Sequence, residues 1–104
     1  MSAVDVAIQE VESQRQRALL ELESDAGRSY LDEFRAGTFG CHELLDRTRL
    51  IADQIEQTLL AHPACLQNQD WYRLAFEAVV ALRELYQQVG SAHLATPDPG
   101  GERG

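Results

Sequence analysis

The chain has 104 residues, 17 Asp or Glu against nine Lys or Arg, and a formal net charge of −8. That length suits a single domain with a modest core, and a 44% apolar content with few Gly and Pro excludes disorder over most of it. All nine basic residues are Arg, scattered among carboxylates, which argues against a direct DNA or RNA binder because such proteins concentrate positive charge. No apolar run approaches the roughly 20 residues of a membrane span. Residues 2–17 are polar with a helical period, unlike a cleavable secretion signal, so a soluble cytoplasmic protein is expected. The two cysteines, Cys41 and Cys65, are too few for a disulfide scaffold and are expected as free thiols in a reducing compartment.

Taken in chain order, the first helix is expected to start at Ser2, which can cap it, with Asp5 three residues on in the manner of a capping box. Val4, Ile8, Val11, Ala18 and Leu22 recur at helical spacing, and Arg15 occupies the missing member of that stripe. Its aliphatic stem can line the seam while its charge reaches water, or it can form half of an intermolecular ion pair. Ser24-Asp25-Ala26-Gly27 reads as a break, followed by a second helical stretch over residues 29–36 bearing Tyr30, Leu31 and Phe34. A single helix across Gly27 is the alternative, at a cost of about 1 kcal/mol.

Gly37-Thr38-Phe39-Gly40 is a stop and restart, with Gly40 as the expected N-cap. A wide apolar face follows over Cys41, Leu44, Leu45, Thr48, Ile51, Ala52, Ile55 and Leu59. His62-Pro63 should end this helix, because a residue before proline avoids the helical region. Asp70 is the expected cap of a last helix, with Trp71, Leu74, Ala75, Ala78, Val79, Leu82, Leu85, Tyr86 and Val89 as its buried stripe and Gly90 as its C-terminal cap. Residues 95–104 are Pro- and Gly-rich and read as a disordered tail, leaving 1–94 as the folded domain.

The expected fold class is therefore all-α: a bundle of three to four helices, with an antiparallel hairpin of about 41–61 and 71–89 and a long or kinked N-terminal helix. No strand-like alternation is present.

One cluster invites chemistry. Cys41 in a first helical turn would meet free N–H groups and the positive dipole end, which stabilise a thiolate, with His42 beside it as a base. The same thiol is in phase with Leu44, Leu45 and Thr48, where cysteine is a small inert core residue. His42 and Asp46 lie one turn apart and, with Glu43, could face a divalent metal. Paired zinc-ligand spacing is lacking, and so are an oxyanion motif and a third catalytic partner. No cofactor is implied beyond that metal, and the balance leans away from an enzyme.

The expected function is a non-enzymatic protein-interaction module that pairs as a homodimer or with another protein, with Val4, Ile8, Val11, Arg15, Leu19 and Leu22 at the interface. Two further readings are a metal- or thiol-dependent protein centred on Cys41, His42, Glu43 and Asp46, and an acidic regulator or inhibitor that docks on a basic partner. The latter rests on the ten acids and four Arg of residues 1–46, a net −6.

Overall fold

In the computed structural model, residues 3–95 are described, Ala3 and Val4 by backbone alone. The expected cap at Ser2 and residues 96–104 of the expected tail lie outside them. Every element among the described residues is helical, with no strand. In order these are α1 (Ala3–Ala26), α2 (Arg28–Asp32), α3 (Phe39–Ile55) running on into a π-helical turn (Glu56–Leu60), α4 (Pro63–Leu66) and α5 (Gln69–Ala95). The chain divides into two compact units, Met1–Glu33 and Phe34–Gly104.

In the first unit the break is real. Gly27 has φ +92°, a conformation that side chains rarely adopt, so α1 stops at Ala26 rather than continuing into α2. The Gly27 N–H still donates to the Glu23 carbonyl (2.9 Å), closing the last turn, and Arg28 reaches the Glu23 carboxylate at 3.3 Å. The second helix is shorter than the 29–36 expected. It ends at Asp32, and the Glu33 N–H turns back to the Tyr30 carbonyl (3.1 Å). No side chain described in this unit is buried.

The second unit is built on α3 packed along α5. The cap of α3 is Thr38 rather than Gly40, because a hydroxyl can accept a hydrogen bond and glycine has nothing to offer: Thr38 Oγ1 accepts from the Cys41 N–H at 3.3 Å. His62 is extended (ψ 132°) ahead of Pro63, which ends the helical run as the proline demands. Pro63 opens the short α4, and His62 Nδ1 accepts from the Ala64 N–H (3.1 Å). The cap of α5 is Asn68, whose Oδ1 accepts from the Trp71 N–H (3.1 Å), so the helix begins one residue before Asp70.

Gly90 does not cap α5; the helix runs through it to Ala95. A methyl group at this position would sit 3.7 Å from Leu45 Cδ2, an ordinary contact. Gly90→Ala is therefore expected to stabilise the protein by about 0.5–1 kcal/mol through helix propensity, read as a raised urea midpoint.

Among the described residues the buried side chains are few and mostly small: Cys41, Leu45, Thr48 and Ala52 on α3, and Val79 on α5. Their 4-3-4 spacing on α3 is one helical stripe. Thr48 is satisfied within it, its hydroxyl donating to the Leu44 carbonyl at 2.8 Å. The wide apolar face expected on α3 and the stripe expected on α5 are thus only partly covered. Leu44, Ile51 and Leu59 remain exposed, and Trp71 and Leu74 are 58% and 57% exposed.

Candidate functional site

The residues singled out for chemistry sit at the start of α3. Cys41 is buried on the stripe that faces α5. Cys65 is half-buried, and neither forms a disulfide. The carboxylates are occupied by arginines on their own helix: Glu43 meets Arg47 at 3.2 Å, and Asp46 meets Arg49 at 3.7 Å. The ring of His42 instead lies 5.8 Å from that of His93, tilted by 39°. Among the described residues no group of three or more His, Cys, Asp or Glu is placed to hold a metal ion.

The sequence offers His93, with His62 and Cys65, only as a group that tertiary proximity could bring to a site at His42. The Nδ1 of His93 accepts a hydrogen bond from the Gly37 N–H at 2.9 Å, so the ring's proton sits on Nε2. Gly37 itself has φ +90°, where glycine is favoured. This bond ties the end of α5 to the loop ahead of α3 and sets His93 beside His42. Together with Leu45, Tyr86 and Gly90 the two imidazoles line an open cleft of about 330 Å³. Only a tertiary contact brings them together, and no local spacing announces it.

The same side of the α3–α5 pair carries its cross-helix charges. Arg83 of α5 reaches Glu56 at 2.7 Å and Asp53 at 3.3 Å, and those carboxylates, Asp53 foremost, hold its guanidinium above its ordinary value. At 100° per residue, a different set of side chains turns to the opposite side. On α3 these are Leu44 and Ile51, and on α5 they are Trp71, Leu74, Ala78 and Leu85, at steps of three, four and seven. All six are exposed. The ion pairs of Arg83 lie on one side, but exposed apolar side chains lie on both, Phe76 and Leu94 falling in phase with Arg83 on α5.

Within α1, Ile8 and Val11 are 61% and 62% exposed, and Leu19 and Leu22 are exposed as well. Arg15 is held along its own helix: Nε and Nη2 donate to the two Glu12 carboxylate oxygens at 2.9 and 2.6 Å, and Gln16 adds a third bond at 2.8 Å. These bonds hold the Glu12 carboxyl down at about 2. Because that value is depressed, the pair's contribution is present above the ordinary carboxylate range and is lost as pH falls through about 2. Of the six residues expected at an interface, the five with described side chains are all exposed; the side chain of Val4 lies outside the described set.

Protein-family models, curated proteins and solved structures offer no match to this chain. No helix among the described residues is long and apolar enough to cross a membrane, so the apolar faces are not those of a spanning helix.

Proposed function

We propose that this protein is a non-enzymatic interaction module that associates with a second copy of itself, with α1 as the principal contact element. The observation that carries the reading is that α1 is 24 residues long and none of its described side chains is buried. Isolated helices in water are marginal, and most helices in proteins are held by burying an apolar face. A stripe of Ile8, Val11, Ala18 and Leu22 left in water favours association. In this reading α3 and α5 form an antiparallel hairpin, and association completes a bundle of helices around it.

The Arg15–Glu12 pair is compatible with such a contact. A guanidinium already bound by a carboxylate brings its stem into the seam without an unpaired charge. Sedimentation of the untagged protein over a hundredfold range of concentration tests the reading. The expected result is a species of twice the 11.6 kDa chain mass that dissociates on dilution. A mass that stays monomeric at every concentration would overturn it.

A further inference from the structure

We infer that the α3–α5 unit carries a proton-operated release: protonation of His93 frees the loop ahead of α3 from the end of α5. The device lies wholly within this unit and goes beyond self-association, on which it does not depend.

Of the three histidines, His93 is the one whose bond joins elements far apart in the chain. His62 accepts from the Ala64 N–H, two residues on, and so serves only a local cap. His93 accepts from Gly37, 56 residues away. That bond needs the lone pair on Nδ1. With the ring's proton on Nε2, no lone pair is left there for a metal, and the one place to add a proton is Nδ1 itself. Once it is protonated, two N–H groups face each other across 2.9 Å, donor against donor, and the ring and the loop must part.

The surroundings allow the charge but do not bridge it back to the loop. His93 stands in the last turn of α5, the end of a helix dipole that accommodates a cation. The titratable groups lining the cleft with it are His42 of α3 and Tyr86 of its own helix, and no carboxylate lines it. The His42 ring, 5.8 Å away, gains charge in the same range and adds repulsion between the rings. The nearest carboxylates of α3, Glu43 and Asp46, are engaged by Arg47 and Arg49. Residues 34–38 contribute one ionisable side chain, Arg35, which is also a cation.

The accepting form is the neutral one. The tie is therefore complete above the histidine range and is lost as pH falls through it, from about 7 to about 5. The segment released is residues 34–37, by which the chain enters α3 from the first unit. Thr38 keeps its bond from the Cys41 N–H, so α3 stays capped and the change is local.

Amide exchange of the full chain between about pH 7.5 and 5.5, above its isoelectric point near 4.7, tests the release. Protection at Gly37, taken against the intrinsic rate at each pH, is expected to fall about tenfold or more, in step with protonation of the His93 ring read from its nitrogen signals. Helicity by circular dichroism is expected to stay constant. His93→Asn sets an amide oxygen near the place of Nδ1 and does not titrate, so its Gly37 should stay protected throughout. His42→Ala leaves the bond in place and should keep the response. Gly37 protection that holds while His93 takes up its proton would overturn the inference, as would a His93 ring still neutral at the acid end. An equal fall in His93→Asn would assign the effect to other groups, and its loss in His42→Ala would assign it to repulsion between the rings alone; either sinks the release. A parallel loss of helicity would do so too, because the change would then be unfolding.

Discussion

Leu45→Ala is expected to lower the stability of the α3–α5 unit by about 2–4 kcal/mol. Leu45 is the largest side chain on the buried α3 stripe, and its Cδ2 lies against the backbone of α5 at Gly90. The other buried side chains, Cys41, Thr48, Ala52 and Val79, are too small to close over the gap a methyl group would leave. A domain of this size holds a net stability near the bottom of the 5–15 kcal/mol range, so the variant should be partly unfolded at 37 °C. Urea unfolding followed by far-ultraviolet circular dichroism measures it. Leu44→Ala is the matched control: one residue earlier, 46% exposed, and expected to cost under about 1 kcal/mol in the monomer. Equal losses for the two would mean that the packed stripe of α3 is not the one described.

The helices were legible because their signals are local. The 3.6-residue period, the glycines at 27 and 37, and the dipeptide His62-Pro63 each act within a turn or two of where they stand. The caps were less so. Thr38 and Asn68 won over Gly40 and Asp70 because a cap is settled by which oxygen reaches the third helical N–H, and a shift of one or two residues decides it.

Burial was misjudged in a consistent direction. Periodicity shows that Trp71, Leu74, Leu44 and Ile51 share faces with core residues, yet it cannot say how wide a face the neighbouring helix covers. One partner helix covers only a narrow stripe of α3 and leaves the flanks open. The π-helical turn at Glu56–Leu60 leaves no mark on the sequence, because Ile55 and Leu59 keep the four-residue step of an ordinary helix. The His42–His93 pairing was out of reach for another reason: the two residues lie at opposite ends of the unit's sequence, and only the packing of α3 along α5 joins them.

His93→Ala is expected to cost about 1–2 kcal/mol, because it leaves the half-buried Gly37 N–H without its acceptor. The sign of the effect separates two explanations. Alanine is the best helix former, so α5 itself gains from the change and any loss belongs to the tie between α5 and the loop. Amide exchange at Gly37 is the direct measure: slow in the native protein, and expected to accelerate about tenfold or more in the variant, in proportion to the lost free energy. His42→Ala removes the facing ring but keeps the Gly37 bond, and should leave that amide protected. Protection at Gly37 that survives His93→Ala would mean the bond does not anchor the loop.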